Sequence, residues 1–223
     1  MFFREYGEHG LSVTQMLAQP RLGIKGLDKE NMQRVKDKVY NNLLDFLLAE
    51  GYPSGSTEDF KEANVTDLTL LIVLPVITTL KRVTKRNLDL RREKHLISPD
   101  RKTHGYQEFV GIDVVRIGER KFVFVVEAKK TDLGLAKKHC FLALKDMQAN
   151  NGGGTVYGFV TTGEHWQMVS YDGQAFIQTE RLQVVYPGMK EDGEEDQKKK
   201  WMDGFSQIVD CIHRALCDGG FGG

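Results

Sequence analysis

The 223-residue sequence predicts an α/β fold, with a mixed central sheet flanked by helices and an N-terminal helical extension. Three observations lead there. Phe109–Ile117 and Phe122–Lys129 are rich in β-branched and aromatic residues, and with the polar stretch Gly118–Lys121 between them they read as a β-hairpin. A helix-length segment from Asp132 to Asn150 follows. Beyond the break at Asn151–Gly154, Thr155–Thr161 and Trp166–Tyr171 read as two more strands.

The remaining elements follow in chain order. Residues 1–27 mix glycines, Pro20 and short apolar stretches and read as an irregular arm. From Asp28 to Glu50, Val35, Val39, Leu43, Phe46 and Leu47 recur at helical spacing, with Asp28 as N-cap and Gly51 closing the segment. Gly51–Thr57 is a break, and a second helix runs from Thr57 or Asn64 through Leu80, bent or interrupted at Pro75. Phe176–Val185 adds strand, Glu191–Lys200 is a charged loop, and Trp201–Leu216 is a last amphipathic helix. These elements divide the chain into an N-terminal arm and helical extension (1–56), a main domain (57–217) and a Gly-rich tail (218–223).

Apolar residues at 40% and charged residues at 28% suit a globular core, and Lys plus Arg balances Asp plus Glu at 31 each. Attraction to nucleic acid therefore has to come from local clustering. Lys81, Arg82, Lys85, Arg86, Arg91, Arg92 and Lys94 supply one cluster, open to reading as a solvated face or as a phosphate-contacting patch. Cys140, Cys211 and Cys217 form no CxxC pair, as expected of buried thiols in an intracellular, reducing compartment. The apolar run Leu68–Leu80 is too short to span a bilayer, so no membrane partner is expected. The six histidines lack zinc-site spacing, the triple glycine opens no phosphate loop, and no Gly-x-Ser-x-Gly elbow is present.

Chemistry concentrates in the hairpin. Side chains alternate along a strand, so Glu127 and Lys129 share one face with Ala128 opposite. A connecting loop at 118–122 places Asp113 directly across from Glu127. Two carboxylates roughly 5 Å apart repel unless a cation lies between them, and Mg²⁺ accepts one or two carboxylates plus water and phosphate oxygens. The Ala128 carbonyl offers one further oxygen, and Lys129 stands ready to orient a water or balance charge. This reading requires Asp113, Glu127 and Lys129 to converge; if they diverge, or if a two-residue turn at Gly118-Glu119 sends Asp113 to the opposite face, it fails and the three are an ordinary ion-paired or solvent-facing hairpin.

Gly111-Ile-Asp113, Val126-Glu-Ala-Lys-Lys130 on an apolar strand, Gly134-Leu-Ala136 and Val156–Gly163 with Trp166 follow Glu62-Ala63 in order. Over about residues 57–217 this set resembles the PD-(D/E)xK nuclease superfamily, and within it the restriction-endonuclease-like domain of Crinkler effectors and related fungal and protist proteins. The resemblance implies a metal-dependent DNA endonuclease using Mg²⁺ or Mn²⁺. Asp113 and Glu127 would be metal ligands, Lys129 the catalytic lysine and Glu62 an additional helix-borne acid. It departs from the pattern where Lys137-Lys138-His139 replaces the usual glutamine, which adds Lys137 and Lys138 to the nucleic-acid contacts. It further implies DNA as partner, a nuclear location (a host nucleus for a secreted effector), and fusion to a kinase or NTPase domain or homo-oligomerisation. A fold that binds DNA or protein without catalysis is the alternative.

Overall fold

The computed structural model describes residues 8–20, 23–53, 60–97, 99, 104–116, 119–131, 133–189 and 194–220. Residues 1–7, the helix start at Thr57, the hairpin residues Ile117 and Gly118, Asp132, and residues 191–193 and 221–223 lie outside the described residues.

The chain is a mixed α/β structure built on one eight-stranded sheet. In chain order the elements are β1 (Glu8–Leu11), α1 (Val13–Ala18), α2 (Lys29–Glu50), α3 (Glu62–Thr84), β2 (Leu88–Ile97), β3 (His104–Arg116) and β4 (Glu119–Ala128). Then come α4 (Leu133–Asn151), β5 (Val156–Thr161), β6 (His165–Tyr171), β7 (Phe176–Thr179), β8 (Leu182–Gln183), α5 (Glu194–Gly204) and α6 (Gln207–Asp218). The strand order is β1-β7-β6-β5-β4-β3-β2, with β8 beside β6. Only β1/β7 and β4/β5 pair in parallel among these strands; the others are antiparallel.

Each face of the sheet has its own apolar layer. On one side α4 packs over Val110, Ile112, Val125, Val160 and Val169 through Ala136, Cys140 and Leu144. Gly158 makes that approach possible, because a Cβ there would lie 2.3 Å from the Cys140 sulfur. On the other side Phe109, Phe124, Val126, Phe159 and Trp166 meet α2, α3 and α6. Phe124, Phe159 and Trp166 form an edge-to-face series across three strands. Trp166 and Tyr171 are thus core residues and present no face to a base.

Several elements differ from the sequence expectation. Residues within the supposed irregular arm form β1, which joins the sheet beside β7, and α1, capped by Ser12. The basic stretch after α3 is mostly strand: Leu88–Ile97 pairs with β3 from Asp113 back to His104. Its charges hide the strand pattern because β2 lies at the sheet edge, where one row of side chains meets solvent. Residues 194–204 are helix, and the final helical segment is divided at Phe205–Ser206 into α5 and α6.

Helix α3 continues through Pro75 without interruption. A proline there leaves the carbonyl four residues earlier, Leu71, without its helical donor. Asn42 of α2 donates its side-chain amide to that oxygen at 3.2 Å. At 23 residues α3 is also long and apolar enough to cross a membrane, contrary to the shorter run expected, yet half of its most apolar stretch is buried inside this fold.

Asn42→Ala should destabilise the protein by about 1 kcal/mol in urea unfolding, since it strands a partly buried carbonyl. In a Pro75→Ala background the same change should cost clearly less, because the alanine restores the N–H that proline lacks. Equal costs in both backgrounds would rule out the compensation.

Candidate active site

The β3–β4 register decides which groups meet. Phe109 pairs with Val126, Val110 with Val125 and Gly111 with Phe124. A shift then follows, and Asp113 pairs with Lys121. Continued one residue outward from Phe109–Val126, the register sets Glu108 across from Glu127 at the open end of the hairpin.

Asp113 is therefore not the partner of Glu127. The position it faces, Lys121, lies six residues (127 − 121) before Glu127, roughly 20 Å along the strand at about 3.4 Å per residue. It also points to the other side of the sheet, toward α6. Arg86 donates to Asp113 Oδ2 from Nε at 3.0 Å and from Nη2 at 2.6 Å, and from Nη1 to the Leu216 carbonyl at 2.5 Å. Both side chains of this pair are about nine-tenths buried. The expectation failed because the strands zip together as far as Arg116 and Glu119, leaving a much shorter connection than a loop at 118–122.

The hairpin end instead collects Glu62, Glu108, Glu127 and Lys129. Glu108 Oε2 accepts the Ala128 amide at 2.8 Å, so β4 itself orients this carboxylate. Lys129 follows the last residue of β4 and is tied to β5 by its own amide, which donates to the Thr161 carbonyl at 2.9 Å. Its ammonium reaches Glu62 Oε1 at 2.5 Å and Glu108 Oε1 at 3.3 Å. Glu62 occupies the first turn of α3, where the helix dipole favours an acid, and its side chain is half-exposed.

Glu127 is 2% exposed. Its Oε1 is buried and accepts no hydrogen bond from any of the described residues. Burial raises its carboxyl pKa to about 8; the Glu108 charge adds to the shift, and Lys129 opposes it. Burial raises Glu108 as well, against the Ala128 hydrogen bond and the charge of Lys129. Burial works against the Lys129 ammonium, but the hydrogen bond to Glu62 and the charges of Glu108 and Glu62 prevail and hold its pKa above the ordinary lysine value.

Among the described residues no three His, Cys, Asp or Glu side chains form a ready-made metal cage. Glu108 and Glu127 nevertheless suit a hard divalent cation, which needs only one or two carboxylates. The buried Glu127 Oε1 has no hydrogen-bond partner among the described residues, and burial first, then the Glu108 charge, makes this carboxyl hold its proton. Ala128 contributes its amide to Glu108 while its methyl is buried.

The basic residues expected to form one patch are dispersed. Lys81 and Arg82 occupy the last turn of α3 and Lys85 its left-handed C-cap. From Glu62 to Lys81 is 19 residues (81 − 62), roughly 28 Å along the helix at about 1.5 Å each, so this end is remote from the site. Lys81 bonds the Leu88 carbonyl. Arg86, buried on Asp113, cannot serve as a surface phosphate contact. Arg91 pairs with Asp89 at 2.7 Å. Arg92 is opposite Phe109, beside Glu108, and stacks 5.6 Å over that ring. Lys137 and Lys138 belong to the beginning of α4, close to Lys129 in the chain.

Glu108 was missed because the hairpin reading began at Phe109. Alternation with the buried Val110 and Ile112 was the available signal, since it puts Glu108 on the face that Glu127 occupies once the short connection is recognised. No family model matches the chain, and no curated protein matches it.

In metal-free buffer, stability should fall as pH rises from about 4.5 to about 8. Unfolded Glu127 ionises near 4.5, whereas the folded carboxyl keeps its proton until about 8, so the unfolded state is favoured across that window. Glu127→Gln should therefore gain on the order of a few kcal/mol over wild type at pH 8 relative to pH 5 in urea unfolding. Identical pH profiles for the two proteins would sink this account of the shift.

Proposed function

We infer that the protein is a metal-dependent phosphodiesterase that cleaves DNA at a site made by Glu108, Glu127 and Lys129, with Glu62 as the supporting acid. The version centred on Asp113 is set aside, since Asp113 is remote and held by Arg86. The observation that carries the proposal is a pair of carboxylates on facing strands, one with a buried, unsatisfied oxygen, beside a lysine just past the end of the strand that bears the second acid. The mixed sheet, with α4 crossing from β4 to its parallel neighbour β5, agrees with a restriction-endonuclease-like core.

Glu108 and Glu127 would hold Mg²⁺ or Mn²⁺, with the Ala128 carbonyl as a third oxygen. When bound, the ion neutralises charge on a phosphodiester and acidifies the attacking water. Ala128 keeps Glu108 oriented through its amide. Glu62 holds the Lys129 ammonium at the mouth, where it can donate to a phosphate oxygen as negative charge develops. Burial of Glu127 excludes water from one side of the pair. Arg92, Lys137 and Lys138 lie on the elements nearest the site and are the preferred backbone contacts, with Arg91 beside them.

One observation favours a second reading, a DNA- or protein-binding module without catalysis. Lys129 already pairs with two of the three acids and so neutralises much of their charge by itself.

Plasmid nicking with Mg²⁺ or Mn²⁺ separates the two. Wild type should nick only with metal; Glu108→Gln, Glu127→Gln and Lys129→Ala should each lose at least about 100-fold, in line with loss of a catalytic group. Asp113→Asn should retain cleavage in proportion to its folded fraction by circular dichroism. Folded wild type that cuts no substrate with any metal, yet binds DNA, would leave the binding module as the function.

A further inference from the structure

A pocket of about 100 Å³ opens beside the hairpin, lined by Leu133, Gly134, Lys137, Val160, His165, Trp166, Gln167 and Arg181. Its position relative to the candidate site follows from the sheet register. Glu127 pairs with Val160, and Val160 with Gln167, so the three stand in one row on the α4 face. With strands about 4.8 Å apart, Gln167 is roughly 10 Å from Glu127 along that row.

The walls suit a phosphate group. Lys137 comes from the second turn of α4 and Arg181 from the link between β7 and β8, and neither has a carboxylate within ion-pair range among the described residues. Lys137 lies 5.7 Å over the Phe141 ring, a contact that itself brings no anion to the ammonium. His165 adds a ring nitrogen 3.8 Å from Glu164, whose carboxylate also accepts from Gln183 at 3.0 Å. Gly134 places exposed backbone of the first turn of α4 on the same wall, where the helix dipole adds positive potential. The Gln167 amide is fixed by donation to the Thr179 carbonyl at 2.6 Å, which stiffens the floor.

We propose that this pocket is a phosphate-binding subsite in which Lys137 and Arg181 clamp a phosphate group beside the carboxylate pair. It rests on the phosphodiesterase reading for the source of that group, a backbone phosphate of the strand being cut, next to the one attacked. The subsite assigns roles to Arg181 and His165 and gives Lys137 a specific contact. It also sets the path of the strand, from the hairpin mouth over β5 toward β6 and past the beginning of α4.

The test uses the full chain and two probes, inorganic phosphate and a metal-free DNA duplex. Inorganic phosphate should shift the amide resonances of Gly134 and His165 in wild type and leave them unmoved in the Lys137→Ala/Arg181→Ala double variant. In fluorescence anisotropy the double variant should bind the duplex about tenfold more weakly. The slope of log affinity against log salt should shrink by about one for each phosphate that the clamp no longer neutralises, while Arg34→Ala on α2 changes neither quantity. Phosphate shifts that vanish in the double variant, in a protein that neither binds nor cuts DNA, would keep the subsite but assign it to a small phosphorylated ligand, and the phosphodiesterase reading would fail. DNA bound with unchanged affinity and slope by the double variant, together with no phosphate response at Gly134, would overturn the subsite and leave the carboxylate pair to be judged by its own cleavage assay.

Discussion

The register of β3 against β4 is the constraint on which the site depends. Gly111 lies under the Phe124 ring, and a Cβ at that position would come within 2.4 Å of it. That close approach lies beside the shift in pairing and helps to fix the outer half of the hairpin, so that Glu108 faces Glu127 and Asp113 turns to the opposite layer. A slip of a single residue would reverse every side chain between the faces, moving Val110 and Ile112 out of the α4 layer and Glu108 away from Glu127. Apolar burial on both faces thus holds two acids together that would separate if free to do so.

Much of the architecture was legible because strong local signals agreed with tertiary structure. Asp28 caps α2 through Asn31, and Gly51 ends it with a positive φ. The strands after α4 fall within one residue of where Thr155–Thr161 and Trp166–Tyr171 announced them. Edge and surface elements were harder to read. β1 pairs through its backbone with a distant strand, β2 is masked by its charges, and the helix over 194–204 is almost wholly polar at its start. For the site, Glu127 and Lys129 were singled out by their alternation on an apolar strand and Glu62 by the family resemblance, and the three do lie in one cluster. The correct partner acid was not, because register depends on where two strands stop pairing, which no single residue encodes.

Electrostatics in the cluster are arranged as a competition for one ammonium. Glu62 and Glu108 both hold Lys129, while Glu127 beneath them raises its own affinity for a proton. A cation arriving at Glu127 and Glu108 would relieve the repulsion between them and release Lys129 from part of its charge pairing. On the proposed phosphodiesterase reading, the same lysine would be a stand-in countercharge without the cation and a donor to phosphate with it.

The pairing of β1 with β7 joins residues more than 160 positions apart, Glu8 with Phe176. Closing a loop of that length costs conformational entropy, and this pairing is among the least local contacts in the sheet. Until β1 docks, β7 presents an open row of backbone donors and acceptors, the feature by which sheets recruit foreign strands. β1 therefore acts as a guard on β7, covering a row of backbone groups that would otherwise be open to a strand from another copy.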